Sequence, residues 1–393
     1  MYNEIAYRLG DNGCCIREIA EAGAKRAAEV GKDKVFNFTI GNPSLPSPPE
    51  VAETVKAILE DTDNLAIHSY TPAVGENACR QAIADDLNNR FGTDVKAEEL
   101  YITCGASPAL AATFHALTFP GAEIVTIAPY FMEYRPFAES AGAKLVVIPA
   151  DIPDFQINFE AVEKALNPNT AAIIVNSPNN PAGTVYTRKT LETLAALLTK
   201  KAEEVGHPIY IVADEPYREL AYGGVEVPFI PTIYKDTIVC YSYSKSLTLP
   251  GERIGYIYVP SAATDGKALY TAVCGGSRAI GHICAPSLWQ KVIARCAHLR
   301  PDLTEYDRNR TLLYEGLTQM GYTVAKPDGA FYLFVKAPGG DSQAFARKAM
   351  EKDLFIVPGD DFGCPSYFRM CYCVTTATIE KSLPIFEALI HNK

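Results

Sequence analysis

Short apolar runs alternate with stretches of helical period through the first two thirds of the chain. The runs fall at residues 101–104, 123–127, 144–148, 171–175, 209–213, 237–242 and 255–259. They stay apolar instead of alternating with polar residues, as strands covered on both faces do. Helical spacing fills most of the gaps, at 107–118, 131–141, 159–166 and 187–204, with 76–90 ahead of the first run. This alternation predicts an α/β fold on a mainly parallel sheet.

The texture changes after residue 285. Two long helical stretches, 287–299 and 303–320, precede short β pieces at 331–335, 355–357 and 368–373, a helix at 342–352 and a last helix at 379–391. This predicts a smaller α+β domain, joined by an N-terminal helix near 16–30. Pro43, Pro46, Pro48 and Pro49 break the chain between them. The expected division is therefore 42–285 as the large domain, with 1–41 and 286–393 forming the small one.

Composition narrows the classes. With 48% hydrophobic residues in a chain of 393, disorder is excluded. No apolar stretch nears the ~20 residues that a membrane span needs. Residues 1–10 carry Glu4 and Arg8 and have no apolar core of the secretory type. The formal net charge of −10 disfavours phosphate backbones, so no nucleic-acid partner is expected, and without a spanning stretch no membrane is expected either. Eleven cysteines, an odd number without a Cys-x-x-Cys, read as reduced cytoplasmic thiols. Cys371 and Cys373 share a strand face and read as packing residues, while Cys14 and Cys15 suggest no role. Six scattered histidines have no metal-ligand spacing, so no metal is expected.

In open α/β sheets ligands sit beyond the carboxyl ends of the strands. Gly105-Ala106-Ser107-Pro108 follows the first run; Ser107 suits a helix N-cap and Pro108 the first helical position, and such an end binds phosphate. It equally suits an ordinary cap. Asn176-Ser177-Pro178-Asn179-Asn180-Pro181-Ala182-Gly183 is a proline-locked loop that presents amides. Asp214, in Asp214-Glu215-Pro216-Tyr217, ends an apolar strand and needs a partner, either a protein arginine or a protonated ligand nitrogen. Lys245, in Tyr243-Ser244-Lys245-Ser246, follows another strand, where desolvation makes a lysine a Schiff-base nucleophile. Arg253, eight residues on, suits a phosphate. Arg369 lies in an apolar strand and suits a carboxylate, of substrate or of protein.

In order and spacing these motifs resemble the class I/II pyridoxal-phosphate aminotransferases. The match runs from Gly41 to Arg369, and includes Asp214 at 34 residues after Asn180, Lys245 at 31 after Asp214, and Arg253 eight after Lys245. The resemblance implies fold type I, a large mainly parallel-sheet domain with a smaller α+β domain, pyridoxal 5'-phosphate as cofactor, and a homodimer with sites at the subunit interface. It implies Lys245 as the Schiff-base lysine and proton shuttle, and Asp214 as partner of the pyridinium nitrogen. Tyr217 and Asn180 become donors to the ring oxygen, and Tyr130 the aromatic on the ring face. Gly105, Ala106, Ser107, Ser242, Ser244 and Arg253 form the phosphate cup, with Tyr70 reaching the neighbouring subunit's phosphate. Arg369 and Gly41 receive the substrate carboxylate. Arg278 stands near the place of a distal-carboxylate arginine from the other subunit, although alignment through Cys284-Ala285-Pro286 puts Ile280 there. Ile16 and Arg17 are further candidates for the pocket wall. The implied reaction moves an amino group between an L-amino acid and a 2-oxo acid by a ping-pong mechanism. A carbon–sulfur (β-elimination) lyase, or another α-carbon reaction on the same fold, is the alternative.

Overall fold

The structure, a computed structural model, describes residues 2, 4–11 and 15–391; Cys14 lies outside the described residues. Its strands in chain order are β1 (Phe36–Asn37), β2 (Leu100–Thr103), β3 (Glu123–Ile127), β4 (Lys144–Ile148), β5 (Thr170–Asn176), β6 (Tyr210–Asp214), β7 (Thr237–Ser242), β8 (Gly255–Tyr258), β9 (Tyr332–Lys336), β10 (Leu354–Phe355), β11 (Val357–Pro358) and β12 (Tyr367–Cys371). Seven form the main sheet in the order β2-β8-β7-β6-β5-β3-β4. Only β8 runs against the rest, antiparallel to both β2 and β7. β5, β6 and β7 are buried at every position, which explains their unbroken apolar runs.

Local chemistry places the helices. Arg188–Val205 starts at Thr187, whose hydroxyl accepts from Thr190 N–H, and ends at Gly206 with φ +81°. Leu191, Leu194, Ala195 and Leu198 form its buried stripe. The proline-rich crossing opens into a helix, Pro49–Asp61, with Pro49 in the first turn. A second helix not expected from the sequence, Gly266–Ala279, crosses Ala106–Leu117 closely. A Cβ at Gly276 would stand 2.3 Å from the Ala112 carbonyl oxygen.

Apolar cores line both faces of the sheet, and a third lies among the C-terminal elements. β9, β11 and β12 form an antiparallel three-stranded sheet, and β1 from the N-terminal side pairs with β10. The expected boundary at 285 falls just before a helix of the main core. Helix Ser287–Cys296 buries Val292, Ile293 and Cys296 in the same core as Val51 and Ile83, so it packs with the main sheet's helices.

Among the described residues no helix is long and apolar enough to cross a membrane, and no metal-binding cluster is present. No disulfide joins the described cysteines.

Candidate active site

A cleft of about 270 Å³ opens where β5, β6 and β7 end, and β12 supplies its far wall. Lys245 sits on the single turn Tyr243–Ser246 directly after β7. Its Nζ donates to the Gly41 carbonyl at 2.6 Å and lies 5.2 Å from the Phe331 ring centre. Burial pushes this amine down to about 8, and the nearby Arg369 adds to the push.

Asp214 closes β6. Its Oδ2 accepts from the Tyr134 hydroxyl at 2.5 Å, while Oδ1 is buried without a partner. Burial pushes its carboxyl up to about 7, against the Tyr134 hydrogen bond. Asn176 on β5 donates to the Asp214 carbonyl at 2.8 Å and accepts from Asn180 N–H at 2.7 Å. It thereby joins the aspartate strand to the amide loop.

Arg369 is 2% exposed. Its guanidinium donates to the Thr39 carbonyl and to Asn180 Oδ1, leaving Nε unpaired in the interior. Engaging Oδ1 turns the Asn180 amide nitrogen into the end available to a ligand. Tyr217 shares a 3.0 Å hydroxyl pair with Tyr332. Tyr332 also explains Gly41: a Cβ there would stand 2.1 Å from the Tyr332 hydroxyl.

The anion end lies at Gly105, Ala106 and Ser107. Gly105 has φ +94° and caps the helix; a Cβ on it would meet Arg253 Nη2 at 2.8 Å and Ser242 Oγ at 3.3 Å. Ser242 and Ser244 share a hydroxyl pair at 2.7 Å on the same wall. The bare glycine, the free amides of the first turn, two hydroxyls and a guanidinium make a cradle for a phosphate. The expected N-cap at Ser107 is corrected: the helix begins at Ala106, and Ser107 and Pro108 lie inside its first turn.

A further expectation differs. Tyr130 does not line the cleft. Its N–H donates to the Phe362 carbonyl, its hydroxyl accepts from Arg135, and its ring packs at Gly363; Phe131, one residue on, forms the wall. Tyr70, 98% exposed, and Arg278, also exposed, stand outside the cleft of their own chain. Ile16 lines the cleft, whereas Arg17 is exposed. Sequence reasoning missed Phe131, Tyr134, Asn176 and Tyr332. Asn176 had a signal, since it opens the amide loop; Tyr332 lay in a run read only as strand.

A buried carboxylate oxygen, a buried guanidinium nitrogen, a depressed lysine and a phosphate cradle on one cleft are the groups that pyridoxal phosphate and an amino acid would need. The family model described as aminotransferase class I and II matches residues 33–384, and the chain belongs to that family. It is a pyridoxal-phosphate-dependent aminotransferase of fold type I. A solved aminotransferase from Eubacterium rectale is 52% identical, superposes with a TM-score of 0.98, and is covered over 99% of its length by 100% of this chain. The aspartate/prephenate aminotransferase of Thermus thermophilus is 30% identical, with 90% of each chain aligned. Aromatic-amino-acid aminotransferase 2 of Thermococcus litoralis is 28% identical over 92% of this chain and 93% of its own. These relatives favour transamination over the lyase alternative.

Proposed function

We propose that this cleft performs both halves of the amino transfer, with Lys245 as the base. The observation that carries this reading is the pair of unfilled buried positions, Asp214 Oδ1 and Arg369 Nε, on one cleft with Lys245. Pyridoxal phosphate, when bound, supplies a conjugated electron sink next to the substrate Cα. Asp214 Oδ1 would hold the proton of its ring nitrogen. Tyr217 and the Asn180 amide would donate to its ring oxygen, with Phe131 on the ring face. Gly105, Ala106, Ser107, Ser242, Ser244 and Arg253 would hold its phosphate.

Arg369 Nε receives the substrate α-carboxylate, joined by the guanidinium edge that now serves Thr39 and Asn180. Lys245 Nζ, released from Gly41, takes the Cα proton. Its depressed proton affinity leaves a share of the amine neutral near pH 7–8, as a general base requires. Residues 1–41 and the elements after 300 form a smaller unit that closes over the cleft and excludes water.

The working form is a homodimer. Leu65, Tyr70 and Ile283 are exposed apolar side chains on segments tied together by Cys284 Sγ–Thr71 and Ser287 Oγ–Ile67 contacts. A second copy covers this patch and receives Tyr70 and Arg278 in its own cleft. The reduced thiols, several of them buried, suit a cytoplasmic setting.

An absorbance titration tests the reading. Pyridoxal phosphate and then single L-amino acids are added without any 2-oxo acid. The cofactor band should convert to that of the aminated cofactor, one 2-oxo acid per site. Lys245→Ala should lose this conversion while keeping its circular dichroism. Ammonia accumulating with an unchanged band would overturn the transfer reading.

A further inference from the structure

Behind the cleft lies a cluster of charges that the chemistry above leaves unused. Glu215 and Glu219 have side chains 2% and 3% exposed, Arg218 is 2% exposed, and Arg90 is 23% exposed. None of them lines the cleft. Burying four charges costs stability unless they pair well, and a well-packed apolar set often does as well or better. Here the signs balance and each group is ion-paired, although Glu215 Oε1 is buried without a hydrogen-bond partner. Arg218 pairs with Glu215 and donates to the Tyr256 hydroxyl at 2.9 Å. Arg90 donates to Glu219 Oε1 at 2.7 Å.

The cluster reaches the lysine turn through hydroxyls. The Tyr241 hydroxyl donates to Glu219 Oε2 at 2.7 Å and lies 2.8 Å from Ser246 Oγ. Tyrosine has one hydroxyl proton, and Glu219 takes it, so Ser246 donates to Tyr241. The Arg218 guanidinium covers the Tyr241 ring at 4.6 Å. Ser246 is the residue after Lys245, on the same single turn; Glu215 is the residue after Asp214. A turn of four residues has little hydrogen bonding of its own. The relay Ser246–Tyr241–Glu219–Arg90 anchors it from behind.

We propose that Tyr241 and Ser246 are positioning residues for Lys245, with the Arg90–Glu219 pair as their fixed anchor. The relay holds the turn so that Nζ points into the cleft, and it couples that orientation to the segment after β6 that carries Tyr217. This rests on Lys245 being the lysine that takes the cofactor.

The test uses the full-length chain and Ser246→Ala, Ser246→Thr and Tyr241→Phe. The first readout is the rate at which cofactor-free protein captures pyridoxal phosphate, followed by visible absorbance. The second is the split between kcat and KM in the amino-acid half-reaction. Loss of one such hydrogen bond should slow capture and kcat about tenfold in Ser246→Ala and Tyr241→Phe. KM, set at Arg369, should stay within about twofold. Ser246→Thr, which keeps the hydroxyl, should recover parental rates. Parental capture and kcat in Ser246→Ala would overturn the proposal, whatever happens to its Tm and even if Tyr241→Phe fails to fold. Capture by Lys245→Ala equal to the parent's would instead remove the reading of the lysine on which the proposal rests.

Discussion

Asp214 shows what the site demands of single residues. Its carboxyl is fully enclosed, faces Tyr134 and neighbours Glu215, and is held up to about 7. An unfolded aspartate titrates near 4. Between those values the folded chain binds more protons than the unfolded one, so this group erodes stability as pH rises through the window. The full penalty, on the order of 4 kcal/mol as an upper bound, stands above pH 7 in the cofactor-free protein. Asp214→Asn should therefore raise the Tm of cofactor-free protein near pH 8 and change it little near pH 4. The same variant should bind pyridoxal phosphate more weakly. Thermal melts at the two pH values, with and without cofactor, check both halves. A Tm gain equal at both pH values would show that ionisation of Asp214 is not the source. Lys245 has the opposite sign: its affinity is lowered to about 8, so its penalty is greatest below that value and fades as pH rises toward 10.5.

At the scale of elements, the phosphate cradle depends on how the helix Ala106–Leu117 is seated. Gly276 lets Gly266–Ala279 pack against it, with the Ala112 carbonyl where a Cβ would stand. Gly276→Ala should push the two helices apart and destabilise the fold by about 1–3 kcal/mol, as overpacking does. Because Gly105, Ala106 and Ser107 ride on the same helix, cofactor affinity should fall as well. Denaturant melts and a cofactor titration read the two effects; lost stability with unchanged affinity would separate the cradle from the crossing. The strands were readable because β5, β6 and β7 are buried at every position. Gly266–Ala279 was not: its three glycines lower its helical propensity, and Gly276 answers to the neighbouring helix. Pro49–Asp61 escaped because a proline cluster signals a break as readily as a helix start.

For the whole molecule, the exposed Leu65, Tyr70 and Ile283 belong to the proposed dimer face. Sedimentation equilibrium should give the mass of two chains. Ile283→Asp should shift it toward one chain and weaken cofactor binding through loss of the neighbour's Tyr70. A monomeric parent with full turnover would remove the shared site. The chain's two ends also meet here: β1 pairs with β10, and the carbonyls of Thr39 and Gly41 take Arg369 and Lys245.

Local pattern was enough for the sheet, the loops that follow its strands, and the placing of Lys245, Asp214, Asn180 and Arg369 at strand ends or within strands. Periodicity and turn chemistry act over a few residues, and so do the signals they leave. Tertiary packing alone chose Phe131 over its neighbour Tyr130, because the contacts with Phe362 and Gly363 turn Tyr130 away. It also brought Tyr134 to Asp214 across 80 residues, Tyr332 to Tyr217 across 115, and Arg369 to Asn180 across 189. The buried charges behind Lys245 are of the same kind. The direction in which each side chain leaves its element, and what stands there to meet it, is set by how distant segments pack, and periodicity along the chain does not encode that.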